Sequence, residues 1–408
     1  MIIAGQLVNA EQVAAGQLRI EGETIVEAGR DLGAPDVTFG DDCLIFAGMG
    51  DIHIHARDDA SGEENYKEDL LTAGQAAVHG GVVHVADMPN NPRAPVDDCS
   101  YAEKQQVLAG RNVPIDVTLY AGIGPGTRPL SKPVPYKAYM GPSVGKLFFS
   151  TLAELDETLS HYRGCDVSFH CEDPELLERH RRAEKHEERR PPECELSATK
   201  FALAMIEKYE LRGKLCHYSV GEGLPLIREA KRKGLPVTCE VTPHHLYYDL
   251  TQVTDANRQL MQMNPPLRSL NDRLAMLDAL RDGTLDYLAT DHAPHTLAEK
   301  AKGVSGQPHL DTYGPFVTWL LAEQQFTPQQ VARFCCENPG TFVNPYAAPR
   351  KFGRLAAGYT ASLTVLNLQK PTLVRRDDLK TKCGWSPFEG VTFPGSVEGL
   401  FVHGRRLV

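Results

Sequence analysis

No stretch of this 408-residue chain approaches the run of ~20 apolar residues that a membrane-spanning helix needs, so a bilayer is not its expected setting. Basic charge is not in excess either. Lys and Arg number 43 against 53 Asp and Glu, a formal net charge of −10. That balance argues against nucleic acid or an anionic membrane surface as a partner. A small acidic substrate stays open, because arginines and metal ions set the local field at a site. A compact cysteine framework is missing as well. The ten cysteines are scattered along the chain. Met1-Ile-Ile-Ala-Gly-Gln reads as the start of a strand and not as an export signal, so reduced thiols in a cytoplasmic protein are expected.

What is present is a change of pattern along the chain. Residues 1–47 read as short strands and turns, with a hairpin signal in Gln17-Leu-Arg-Ile-Glu-Gly-Glu-Thr-Ile-Val. From 48 to 345 short apolar strands alternate with helical patterns. The helical stretches are Glu68 to Val78, Ala153 to Tyr162, Leu196 to Glu210 and Asp272 to Arg281. The strands after them begin at Gly80, Asp166, Lys214 and Leu285. Such alternation predicts an α/β protein with a parallel (β/α)8 barrel, a fold of ~250 residues whose site lies at the C-terminal strand ends. From 346 to 408 strands return, clearest in Thr360 to Asn367 and Gly399 to Val408. The two terminal segments are expected to pair as one small β domain. The charged run Glu178 to Arg190 reads as a solvated helix and loop without chemistry.

Chemistry-bearing residues recur at the predicted strand ends. His53 and His55 close an apolar strand, and side chains two apart on a strand point the same way. Alone, such a pair is equally consistent with two exposed histidines. His170 ends Asp166-Val-Ser-Phe, His217 follows Lys214-Leu-Cys, and Thr290-Asp291-His292-Ala293-Pro294-His295 follows another apolar strand. Imidazoles plus a carboxylate are the ligand set of a hydrolytic metal site. His53, His55, His170, His217 and Asp291 exceed the needs of one zinc and suggest two metals ~3.5–4 Å apart. A pair so close wants an anionic bridge, yet the intervening strand offers Lys137. A lysine carrying CO2 as a carbamate is such a bridge, although lysine is far more often a surface charge. Arg57 shares the strand face of His55 and presents a fork of donors suited to a carboxylate. Asn90 at the next strand end is a further donor or a turn residue of Pro-Asn-Asn-Pro.

In order along the chain stand Asp51-Ile-His-Ile-His-Ala-Arg57, Val85-Ala-Asp-Met-Pro-Asn90, Lys137-Ala-Tyr-Met-Gly-Pro-Ser143 and His170-Cys-Glu-Asp. His217-Tyr-Ser, Glu240-Val-Thr-Pro-His-His, Asn264-Pro-Pro-Leu-Arg268, Thr290-Asp-His-Ala-Pro-His295 and Ser386-Pro-Phe-Glu-Gly follow. With these motifs the chain resembles the dihydroorotases of the amidohydrolase superfamily, of the type related to the dihydroorotase domain of the animal pyrimidine-synthesis polyprotein. The resemblance spans nearly the whole chain and implies a TIM-type barrel with a small β-sandwich domain from both termini. It implies one zinc held by His53, His55 and Asp291, and a second by His170 and His217. Carboxylated Lys137 and a hydroxide would bridge them. A third zinc at Cys216 and Glu240, as in the animal domain, is the minority expectation, since most buried cysteines are core residues.

The implied reaction is the reversible cyclisation of N-carbamoyl-L-aspartate to L-dihydroorotate in pyrimidine biosynthesis. Asp291 would move the proton between nucleophile and leaving nitrogen. Arg57, Asn90 and His295 would bind the substrate carboxylate, and Asn264 with the Gln307-Pro308 region would contact the ring. The resemblance carries a homodimer as a family expectation and aspartate transcarbamoylase as a possible partner. Departures are Asp58-Asp59-Ala60 where Glu-Pro-Gly is usual, Asn91 where Thr is usual, and Gly303 to Tyr313 without the usual Gly-Leu-Glu-Thr. The loop Leu297 to Leu310, with Gly303 and Gly306, fits a mobile lid. Hydantoinases and allantoinases share the metals but act on rings without a carboxylate, so Arg57 with Asn90 speaks against them. A non-catalytic partner of the transcarbamoylase is the rival from another class. The full ligand set speaks against it.

Overall fold

The computed structural model describes residues 1–142 and 147–408. Ser143, at the end of the Lys137 motif, lies outside the described residues. An 8-stranded sheet draws on both chain ends. Its central strand, Cys43–Ala47, is wholly buried. It pairs in parallel with Ile2–Val8 and antiparallel with Leu363–Asn367. Ser396–Val402 and Arg405–Arg406 extend one side of this sheet, Val13–Glu21 and Thr24–Gly29 the other. The last two form the predicted hairpin. Its turn takes Gly22 at φ 56°, a left-handed conformation that costs glycine nothing.

The middle of the chain forms two parallel sheets. Met49–Ile54, Val82–Asp87 and Asp116–Leu119 make a 3-stranded one. Ala121–Ile123, Tyr136–Tyr139, Asp166–His170, Arg212–Leu215, Val237–Val241 and Tyr287–Leu288 make a 6-stranded one. Only Tyr120 separates Asp116–Leu119 from Ala121–Ile123. At the far side a parallel bridge joins Ile54 to His292, beyond the last strand. Parallel neighbours need crossover connections, and helices supply most of them. Leu70–His79 starts at a capping box of Asp69 and Thr72. Leu152–Leu159, Pro192–Tyr209 and Leu270–Asp282 match the other helical patterns. Strands such as Val82–Asp87 are buried along their whole length, as expected when both faces are covered.

Two strands end earlier than the apolar pattern predicts. Arg212–Leu215 stops short of His217, and Tyr287–Leu288 stops short of Asp291. The chain turns out of the ladder at these points, with φ of 37° at His217 and 48° at Asp291. The charged run from Glu178 also needs correction. Pro174–His180 and His186–Arg189 are short helices, mostly half-buried or buried. Its last residue, Arg190, pairs with the fully buried Glu172 and is therefore not merely solvated. Among the described residues no helix is long and apolar enough to cross a membrane.

Candidate active site

The C-terminal ends of the parallel strands deliver the predicted residues to one place. His53 and His55 leave Met49–Ile54 with ring centroids 5.4 Å apart. Asp291 meets both, its Oδ1 lying 3.2 Å from His53 Nε2 and 3.0 Å from His55 Nε2. His170 and His217 form a second pair, Nδ1 to Nε2 at 2.9 Å, and the His217 ring lies 5.3 Å from that of His53. All five are buried and line one cavity with Arg57, Asn90 and Asn264.

Backbone strain and buried carboxylates hold this arrangement. Positive φ is costly for residues other than glycine and persists where surrounding contacts fix it. It occurs here at Arg57, His217 and Asp291. The His217 N–H donates to Glu240 Oε1 at 3.1 Å, fixing that turn. Asp51 accepts from the His53 N–H at 3.2 Å and the Thr290 N–H at 3.1 Å, tying the strand of the two histidines to the segment that carries Asp291. Further out, His170 Nε2 lies 2.7 Å from Glu172 Oε2, His55 Nδ1 lies 2.6 Å from Asn90 Oδ1, and His53 Nδ1 faces Glu240. Such partners fix the orientation of an imidazole and leave its other nitrogen for a ligand.

The protonation states suit metal binding. Burial pushes His55 down to about 3 and holds His170 and His217 below the usual histidine range, so these rings are neutral. Burial opposes ionisation of Asp291, but His53 and His55 outweigh it and hold the carboxyl well below its usual range. Burial likewise opposes charging His53, yet Glu240 and Asp291 together raise it to about 10. A cation beside Asp291 would displace that proton. His53, His55 and Asp291 offer ligand atoms all within 4.8 Å of one another. The donor chemistry therefore fits a divalent metal, and the unpartnered, buried His217 Nδ1 adds a free ligand atom at the second pair.

Lys137 is fully buried, and among the described residues no carboxylate pairs with it. Its Nζ donates to Cys216 Sγ at 2.9 Å and lies 5.2 Å from the centre of the Tyr139 ring. A second compact group joins His53 to Cys216 and Glu240. Lys214 Nζ contacts Glu240 there and compensates its charge.

The remaining substrate candidates divide. Arg57 Nη2 lies 3.3 Å from His295 Nε2, whereas its Nε and Nη1 are buried without partners among the described residues. Asn264 Oδ1 is likewise unpartnered. His295 and Pro308 are buried but do not line the cavity. Ser305 and Gly306 line it instead, with Tyr139 and Ala293. Those four escape sequence reasoning, although Gly306 at φ 134° belongs to the glycine-bearing loop. Lys300 ties that loop down, donating to the carbonyls of Gln262, Val304 and Gly306 at 2.7, 2.8 and 2.8 Å.

Comparison with known proteins places these features in a lineage. Residues 44–407 match the amidohydrolase family. The chain is 31% identical to a dihydroorotase of Thermococcus kodakarensis, over 99% of this chain and 93% of that protein. A dihydroorotase of Bacillus caldolyticus is 32% identical over 88% of this chain and 86% of its own length. Among solved structures, the L-hydantoinase of Arthrobacter aurescens superposes with a TM-score of 0.89 at 22% identity, covering 100% of this chain and 95% of that one.

Proposed function

The chain belongs to the amidohydrolase family, and we infer that it is a metal-dependent dihydroorotase. Its reaction is the reversible ring closure of N-carbamoyl-L-aspartate to L-dihydroorotate. One observation carries this choice among cyclic amides. Arg57 is 2% exposed, lines the cavity, and leaves its Nε and Nη1 without partners among the described residues. A buried guanidinium with unmet N–H groups calls for an anion. Dihydroorotate brings a carboxylate, while hydantoin, dihydrouracil and allantoin do not. The likeness to hydantoinase structures, at 22% identity, speaks for the fold and not for the substrate.

We read the two parallel sheets as one (β/α)8 barrel spanning 48–345, closed where Ile54 bridges His292. The terminal sheet is then a small β domain of 1–47 and 346–408. In the site, His53, His55 and Asp291 would hold one zinc, and His170 and His217 the other. Lys137, buried with no carboxylate partner among the described residues, would supply an anionic oxygen ligand once carboxylated. When bound, the metal pair polarises the amide carbonyl and activates water near neutral pH. Asp291, held ionised, takes a proton from the nucleophile and returns it to the leaving ring nitrogen. Arg57 fixes the substrate carboxylate, and Asn264 Oδ1 accepts from a ring N–H. Lys214 within the Glu240 group favours reading Cys216 and Glu240 as support for His53 over a third zinc.

The test is hydrolysis of L-dihydroorotate by zinc-loaded protein, with hydantoin, dihydrouracil and allantoin alongside. Turnover of dihydroorotate alone is expected. Turnover of the neutral rings instead would assign the site to another cyclic amide.

A further inference from the structure

Tyr139 lines the cavity but has no part in the scheme above. It ends the strand Tyr136–Tyr139, in register with His170, and the two rings lie 6.1 Å apart. The residue is 3% exposed, and its hydroxyl is buried with no hydrogen-bond partner among the described residues. Leaving a buried polar group unpaired costs about 1–3 kcal/mol. Other buried phenols of this chain avoid that cost. Tyr101 donates to the Leu119 carbonyl at 3.0 Å and Tyr313 to the Leu288 carbonyl at 3.0 Å.

The unmet groups around the cavity describe its ligand. Apart from His217 Nδ1, assigned above to a metal, the unmet donors among the lining residues are Nε and Nη1 of Arg57 and the Tyr139 hydroxyl, and the acceptor is Asn264 Oδ1. A ring bearing a carboxylate and an N–H satisfies this set. A carboxylate has about four acceptor positions. The unmet Nε and Nη1 of Arg57 lie on opposite edges of its guanidinium, so a single carboxylate takes one of them and leaves room for a further donor.

We propose that the Tyr139 hydroxyl donates to the substrate carboxylate beside Arg57 and thereby selects carboxylated rings over neutral ones. This assignment rests on the dihydroorotase reading and adds a specificity residue to it. A neutral ring would leave the hydroxyl and the guanidinium unpaired together, a penalty that discriminates more strongly than a lost apolar contact.

Tyr139→Phe keeps the ring against His170 and removes only the hydroxyl. In the zinc-loaded variant, with metal content unchanged, KM for L-dihydroorotate should rise about tenfold while kcat stays within about twofold. The Kd for orotate, a planar ring with the same carboxylate, should rise by a similar factor in calorimetric titration. Unchanged KM and Kd would overturn the assignment. So would a fall in kcat at constant KM, which would put the hydroxyl at the reacting carbonyl. Wild-type protein inert toward dihydroorotate would sink the underlying reading. Equal orotate affinity in wild type and variant would sink the role of Tyr139, and that titration needs no turnover.

Discussion

At Asp291 a single oxygen lies within 3.2 Å of two imidazole nitrogens, and their charge favours the ionised carboxyl against its burial. Its charge, more than its shape, is then what the proton transfer needs. Asp291→Asn is expected to retain most of the bound zinc, because four histidines remain. It should lower kcat by a factor of about 10²–10⁴, the usual contribution of a positioned acid–base group. Zinc content and kcat measured on one preparation check this, and retained turnover would remove the assigned role. Cys216 poses the other residue-scale question. It groups with His53 and Glu240, but Lys137 donates to its sulfur and Lys214 contacts Glu240. Cys216→Ser should therefore leave two zinc ions per chain by elemental analysis. Loss of a third would restore the larger metal centre. The histidines and Asp291 are readable from sequence because metal-type residues recur behind apolar strands. Tyr139 is not readable in this way. Its significance is an unpartnered hydroxyl, and only the fold reveals which hydroxyls find partners.

Elements carry the next layer of constraint, and Val82–Asp87 shows it best. His84 on this strand is paired in register with Gly50 and is 1% exposed. Its ring packs 4.8 Å from Phe352, and neither nitrogen has a partner among the described residues. A Cβ at Gly50 would lie 1.9 Å from that ring, so glycine there is a requirement of packing. Burial lowers His84 from 6.5 to about 4. The folded state thus favours the neutral ring. Its contribution to stability is complete above pH 6.5 and is lost as pH falls from 6.5 toward 4. A shift of that size is worth about 3 kcal/mol. His84→Leu should flatten the decline of the urea midpoint across this window, and an unchanged slope would show that the acid sensitivity lies elsewhere. Element type was well signalled by apolar period, and Asp166–His170 even keeps its predicted bounds. The ends near His217 and Asp291 were not, because apolar residues continue after the ladder stops. There the backbone bends to aim a side chain, held by distant groups such as Glu240 and Asp51.

Across the whole molecule, the terminal sheet and the parallel sheets meet at Thr364. This residue is fully buried in Leu363–Asn367. Its hydroxyl accepts from the Met49 N–H at 3.0 Å and donates to the Gly81 carbonyl at 2.8 Å. One side chain thereby satisfies the starts of two neighbouring strands, Met49–Ile54 and Val82–Asp87, which carry His53, His55 and the approach to Asn90. The pairing of the two chain ends in one sheet is foreseeable from their strand patterns. This joint is not, because its partners lie 315 and 283 positions away and a threonine in a strand looks ordinary. Thr364→Val preserves shape and strand propensity but leaves a buried N–H and a buried carbonyl unpaired. At about 1–3 kcal/mol for each stranded group, the variant should lose at least about 2 kcal/mol of stability. Thr364→Ser keeps the hydroxyl and should lose less, mainly the methyl packing. Urea unfolding of the three proteins decides the matter. Equal midpoints for the valine variant and wild type would mean that the hydroxyl does not couple the two sheets. A loss confined to valine, with dihydroorotate turnover retained below the transition, would show that the terminal sheet supports the site through this contact while taking no part in its chemistry.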